Sequence, residues 1–357
     1  MFRRGMSAAI GLVSLLAFGM SAQAQTLTAA KLLVAIRNID ETYAALVVAK
    51  SMGYFKDEGL DLTILPVNGS NEVAIQVAAG NGDVGLASPA QAVIGMQSGA
   101  MDIRYFYNVY YENIWSIAVP NGSSIKEIKD LRGTKIGVPA MGSAAITYGR
   151  AYLASAGMDP QKDVTFVPIG FGGQALAATQ QKIVDAIIFY DVALLQFEQA
   201  GLDLRIVPIP EKFLNLPDAS LIARNETIKK NPKTLIGIAR AIAKAHDFTM
   251  ANPEAAVKLT WKSYPDGKKR GDEQEVLKNA VLVNQTRMKI WDTPNNKGKH
   301  GLFHADAWDN VVDFMIDQKM IPARLPLDRI YTNSLIDEIN KYDRKAIVEQ
   351  AKSYQVK

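Results

Sequence analysis

The chain has 357 residues, with 40 lysines and arginines against 36 aspartates and glutamates, and no cysteine. The missing cysteine excludes disulfides, thiolate metal sites, a cysteine nucleophile and acylation of an N-terminal cysteine. The formal charge of +4 falls to +2 without Arg3 and Arg4, and no basic block interleaves with aromatics, so nucleic acid is not an expected partner.

The N-terminus reads as a secretory signal peptide over residues 1–24. Arg3 and Arg4 precede a short apolar run, Ile10 to Met20, and Ala22-Gln23-Ala24 fits a small-x-small cleavage pattern. The run is too short to span a bilayer, and no later stretch has the length and apolarity to do so. Cleavage near Ala24-Gln25 leaves a free exported protein, for which the periplasm is the expected compartment. Roughly 330 remaining residues exceed what one core usually holds, so two domains are expected.

Lys31 to Ile36 predicts the first strand, 37–42 a turn, and Tyr43 to Met52 an apolar helix ended by Gly53. Leu60 to Val67 predicts a strand, Asn68 to Asn71 a turn, and Glu72 to Ala79 a helix. Asp83 to Ala87 is the third strand, and Ser88-Pro89 opens the next helix. Such alternation predicts parallel sheet covered by helices. The plan then recurs. Lys135 to Val138 reads as a strand, and Gly142-Ser143 opens an Ala-rich helix to about Ala156. Ile136 lies 103 residues after Leu33, Gly157 lies 104 after Gly53, Thr165 lies 103 after Leu62, and Asp185 lies 102 after Asp83. Four spacings near one offset predict two α/β lobes of similar architecture.

Two segments, 103–119 and 204–221, read as crossings between the lobes and as a hinge. The expected division is 25–112 with 210–357 for the first lobe and 113–209 for the second. The remainder turns helical, after Asn231-Pro232, after Asn252-Pro253 and over Asp306 to Gln318, and is expected to pack on the first lobe. Lys268 to Glu273 reads as a polar surface run, and Pro294 to His300 as a polar loop.

Three elements carry a family resemblance: GYFKDEGLDLTI (Gly53 to Ile64), AAGNGDVGLASPA (Ala78 to Ala90) and IKDLRGTKIGVPAMGS (Ile128 to Ser143). Together, over nearly the whole chain and in order, they resemble solute-binding proteins of ABC importers. The nearest group is the one handling nitrate, taurine, aliphatic sulfonates and thiamine-pyrimidine precursors. The resemblance implies a two-lobed periplasmic binding fold, type II-like, with two crossing segments and the ligand in the cleft. It also implies delivery to a permease driven by a separate ATPase; this chain has no phosphate-binding G-x-x-x-x-G-K-[ST] loop of its own. A monomer needing no cofactor or metal is expected.

Ligands of open α/β sheets sit beyond the strand carboxyl ends. That rule selects six turns: 38–42, 68–70, 88–89, 140–143, 170–173 and 190–191. Candidate contacts are Asn38, Asp40, Thr42, Asn68, Ser70, Ser88, Gly142, Ser143, Phe171, Gly172, Tyr190 and Asp191, with Asn108 and Tyr110 from the first crossing. Ser88, Ser143 and Asp191 read equally as helix caps, and the aromatics as core. Trp291 is a further candidate wall, and Arg37, Arg104 and Arg224 are candidate clamps for a carboxylate or sulfonate, Arg37 being the best placed. A small organic anion is the favoured solute, with a heterocycle as the alternative.

Other functions find less support. The same fold occurs in a thiamine-pyrimidine synthase that uses its own histidine and a cysteine-rich motif; a chain without cysteine is a poor match. A binding protein feeding a receptor is the other alternative. His300 and His304 have the spacing of two metal ligands, but Gly301 weakens the helix that spacing needs, so they read as two surface histidines in a loop, and no catalytic set is expected.

Overall fold

The computed structural model describes Met1, residues 26–36 and residues 38–356. The rest of the expected signal segment, its cleavage point and Arg37 lie outside the described residues. Ten strands follow in chain order: β1 (Thr28–Val34), β2 (Leu60–Pro66), β3 (Val84–Ala87), β4 (Ile103–Asn108), β5 (Trp115–Pro120), β6 (Lys135–Val138), β7 (Thr165–Pro168), β8 (Ala186–Tyr190), β9 (Leu204–Val207) and β10 (Ser220–Arg224). They form two five-stranded sheets, ordered β2-β1-β3-β10-β4 and β7-β6-β8-β5-β9.

The two sheets correspond position by position. In each, the first strand of the plan lies between the second and third, in parallel register. The spacing between Asp83 and Asp185 has a physical reason. Asp83 Oδ2 accepts from the backbone N–H of Lys31 at 2.8 Å, and Asp185 Oδ2 accepts from that of Lys135 at 2.8 Å. Each aspartate also donates its own N–H to the same lysine's carbonyl, at 3.0 and 2.9 Å. Both lobes thus fasten the start of their first strand by the same two-bond clip.

The sheets are mixed, which corrects the expectation of purely parallel pairing. β10 runs antiparallel to β3 and β4, and β5 runs antiparallel to β8 and β9. The cause is the crossings. A parallel neighbour needs a covering crossover of a dozen or more residues. β5 and β10 instead enter straight from the other sheet, reversed. β4 leads out of the first sheet and β5 into the second; β9 leads out of the second and β10 returns.

Burial follows sequence. All four residues of β3 are buried, as a strand covered on both faces requires. Ala44–Ser51 has six consecutive buried residues, Ala44 to Ala49, because Pro232–Ala251 and Pro253–Ser263 cover the face turned away from the sheet. Asn252 caps Pro253–Ser263 by accepting from Ala255 N–H at 3.0 Å. Among the described residues no helix is long and apolar enough to cross a membrane.

One helix has no counterpart in the sequence reading. Glu273–Met288 begins where the expected polar surface run ends and packs against Pro253–Ser263, Glu41–Tyr43 and Asp191–Gln199. It therefore ties the helical C-terminal region to the second sheet's helices. The reading of His300 as a loop histidine exposed at the surface is also corrected. His300 is buried and its Nε2 lies 2.9 Å from Asp247 Oδ1, while His304 pairs with Asn296 at 2.7 Å.

Candidate ligand-binding site

A small cavity lies between the two sheets. Each of the six turns selected by the strand-end rule contributes to its wall: Thr42, Gly69 with Ser70, Ser88, Ser143, Phe171 and Tyr190. The first crossing adds Tyr110, Ile114 and Trp115, the second adds Asp218 and Ala219, and Glu273–Met288 adds Arg287.

The strand–turn–helix grammar of the sequence builds this wall. Gly69, Ser88, Ser143, Phe171 and Tyr190 each stand immediately before a helix of nine residues or more. Five helix starts therefore bring backbone N–H groups and positive partial charge to one space. Ser143 Oγ accepts from Ala145 N–H at 3.2 Å, so it caps its helix and also lines the cavity. The two readings of this serine, cap and wall, are compatible.

The lobes touch beside the cavity. Gly69, with φ of +115°, faces Gly142 so closely that a Cβ at Gly69 would lie 2.7 Å from the Gly142 carbonyl oxygen. No side chain fits there, and only glycine adopts that backbone readily. Further back, Gln196 donates its Nε2 hydrogens to Asp40 Oδ2 at 3.2 Å and Glu41 Oε1 at 3.1 Å. Asn284 donates to the Glu41 carbonyl at 3.1 Å.

The electrostatics are balanced rather than simply positive. Arg287 is fully buried, stacks over the Tyr110 ring at 4.6 Å and pairs with Asp191 at 2.5 Å. Asp218 is also fully buried. Its carboxyl is pushed up to about 6 by burial, against the pull of Ser88, the Ala219 N–H, Arg287 and Tyr148. A relay feeds it: the Ser88 N–H donates to Ser70 Oγ at 3.1 Å, Ser70 donates to Ser88 Oγ at 3.3 Å, and Ser88 donates to Asp218 Oδ1. Burial keeps the Tyr110 hydroxyl neutral, pushing its pKa up to about 12 against the pull of the nearby Arg287.

The remaining candidates fall outside the wall. Asn38 and Asn68 are exposed, and Asn68 N–H donates to Glu72 at 2.9 Å. Asp40 caps the turn before Ala44, accepting from Thr42 N–H at 3.0 Å. Asn108 is buried and accepts from Ser220 at 2.6 Å, inside the first sheet. Gly142 contributes the contact with Gly69, and Gly172 is exposed behind Phe171. Asp191 acts through Arg287. Trp291 sits one layer back, edge-on to Tyr110 at 5.9 Å. Arg104 and Arg224 lie away from the cavity, the latter against Gly80.

Arg287, Asp218 and Trp115 were not singled out as contacts. Asp272 gives the one local signal for the helix that carries Arg287: it accepts from the N–H groups of Gln274 and Glu275 as an N-cap. For a metal, the described residues bring together only His246, Asp247 and His300, with ligand atoms up to 4.8 Å apart. Two ligands on one zinc stand roughly 3.4 Å apart, given bonds of about 2.1 Å. Asp247 is moreover engaged by Tyr342 at 2.6 Å and Arg344 at 2.7 Å. That cluster fits packing better than a metal.

The chain as a whole is similar to known proteins. Over 300 residues the chain is 25% identical to the riboflavin-binding protein RibY of Chloroflexus aurantiacus, covering 82% of each. It is 26% identical over 241 residues to a 4-amino-5-hydroxymethyl-2-methylpyrimidine phosphate synthase of Saccharomyces cerevisiae, covering 62% of this chain and 66% of that one. The alkanesulfonate-binding protein SsuA of Xanthomonas axonopodis, solved with MOPS, superposes with a TM-score of 0.63 at 16% identity, over 85% of this chain and 98% of that one. The fold is thus that of the two-lobed periplasmic binding proteins. Residues 40–256, well over half of the chain, match the family model described as NMT1/THI5 like, and the chain belongs to that family.

Proposed function

We propose that this protein is the exported solute-binding component of an ABC importer. It captures one small organic molecule between its lobes and hands it, as a monomer, to a permease served by a separate ATPase. The observation that carries the reading is the meeting of six strand-end turns, both crossings and Arg287 at a single cavity. Clefts between lobes that bury a ligand from two sides are the usual form of such sites. Residues 1–24 serve as the export signal, and the periplasm is the site of action.

The reading involves no catalysis. None of the three histidines lines the cavity, so a reaction that consumes a histidine of the chain has none at hand. Closure is driven by a solute that binds the shut form better than the open one. Isothermal titration calorimetry against a solute panel, with small-angle scattering of the empty and loaded protein, tests this. Saturable one-to-one binding with a smaller radius of gyration is expected. Turnover of a solute by the isolated chain, or binding with no change in shape, would overturn it.

A further inference from the structure

Apart from the cavity, the lobes meet over two neighbouring acids. Gln196, on the helix after β8, donates from Nε2 to Asp40 Oδ2 at 3.2 Å and to Glu41 Oε1 at 3.1 Å. One amide nitrogen thus serves two carboxyl groups of the opposite lobe, one with each hydrogen. Glu41 is buried in this contact, and Asn284 fixes its backbone by donating to its carbonyl at 3.1 Å. Two acids this close resist ionising together, and burial penalises the charged form of either.

We infer that this contact is a proton-operated latch: the shut form takes up a proton at Glu41, so closure, and with it solute affinity, weakens as pH rises through neutrality. The inference rests on the binding-protein reading and names a regulation of that same site.

The surroundings of Glu41 set the direction. Burial lifts its carboxyl to about 7 and Asp40 adds to the rise, against the pull of Gln196 and Lys269. The hollow it borders is lined by Gln196 and Gln199 from Asp191–Gln199, by Trp261 from Pro253–Ser263, by Glu275 and Asn279 from Glu273–Met288, and by Lys269, Arg270 and Asp272 from the loop before that helix. On its own turn Tyr43 faces the main cavity instead, and the helix that follows opens on buried alanines, with its Lys50 exposed. Parting the lobes withdraws Gln196 and admits water, which returns Glu41 to its ordinary value of 4.5. A carboxyl that holds its proton more tightly in the shut form favours that form below about pH 7, and the effect is gone above it. Between pH 8 and pH 5.5 the ratio of shut to open molecules then rises roughly 25-fold.

The test needs no solute. The chain has no cysteine, so Ile75→Cys and Ile183→Cys, at exposed positions beside the first and second sheets, take a dye pair cleanly in the signal-free protein. Single-molecule energy transfer then reads the shut-to-open ratio. It should be flat above about pH 7 and rise below it, by roughly 25-fold at pH 5.5. Glu41→Gln, which stands for the protonated acid, should hold one ratio throughout. Two milder variants guard against a folding defect, because they move the break in opposite directions. Asp40→Asn removes the repulsion and should lower it; Lys269→Met, at an exposed site, removes the attraction and should raise it. A ratio indifferent to pH, a response that survives Glu41→Gln, or a break that neither milder variant moves would overturn the latch. If solute still shuts the lobes in scattering, that failure leaves the binding-protein reading standing; if it does not, both fall.

Discussion

Glu41→Gln isolates the electrostatic cost of closing the lobes. Glu41 is buried, and its carboxyl is pushed up to about 7, first by burial and then by repulsion from Asp40. A carboxylate whose folded pKa lies above its ordinary value of 4.5 binds a proton more tightly in the folded protein. Its contribution to stability is then greatest below about pH 4.5 and is lost as pH rises to about 7, above which the loss is constant. At about 1.36 kcal/mol per pKa unit, the loss is roughly 3 kcal/mol. Glutamine keeps an oxygen for the Gln196 hydrogen bond, offers its own N–H to the neighbouring Asp40, and cannot ionise. With an unfolding entropy of ~2.1 cal/mol/K per residue over roughly 330 residues, 3 kcal/mol corresponds to about 4 °C. Thermal melts of both proteins between pH 4.5 and 8 read this directly. The variant should melt about 4 °C higher at pH 8 and match the parent at pH 4.5. Parallel pH profiles, or a variant less stable at pH 8, would refute the account of Glu41.

Four further outcomes are expected. Gly69→Ala places a methyl 2.7 Å from the Gly142 carbonyl and strains a positive φ; solute affinity should fall at least ~10-fold, about 1.4 kcal/mol, with scattering showing a loaded protein that stays open. Arg287→Met leaves Asp191 without its cation and should cost roughly 2 kcal/mol of stability, which Asp191→Asn in the same chain should largely restore. Ser88→Ala removes the hydroxyl donor to Asp218 Oδ1 and should weaken binding by more than Ser143→Ala, whose expected loss is about 1 kcal/mol, as titration calorimetry would show. Trp115 lies in the cavity wall whereas Trp291 lies behind Tyr110, so solute should change tryptophan emission and Trp115→Phe should abolish most of that change.

The repeat offset near 103 residues was legible because parallel α/β architecture spaces strands, turns and helices by geometry. Asp83 and Asp185 show how an apparent coincidence of spacing records a bond, since both hold the first strand's start. The six cavity turns were legible for the same reason: strand ends and helix starts are local features. Arg287 and Asp218 were not. Glu273–Met288 presents partners on several sides, to Pro253–Ser263, Glu41–Tyr43 and Asp191–Gln199, so no single apolar stripe announces that it is buried. Arginine within such a polar helix reads as solvated. Asp218 stands in a crossing among Pro217 and Asn215, where a turn carboxylate is ordinary; its full burial comes from chain segments more than a hundred residues away, such as Ser88. Asn108 lies outside the cavity wall because β10, arriving from the other lobe, holds its side chain in the sheet through Ser220.

The pairing of Arg287 with Asp191 has a bearing on traffic through the protein. The guanidinium stands on the C-terminal helical region and the carboxylate on the helix that follows β8, so the bond joins parts of the chain that belong to different lobes. The chain thus supplies a clasp of its own between the two lobes. Parting the lobes would leave a fully buried guanidinium and its carboxylate to find water in place of each other, so that one contact weighs against opening.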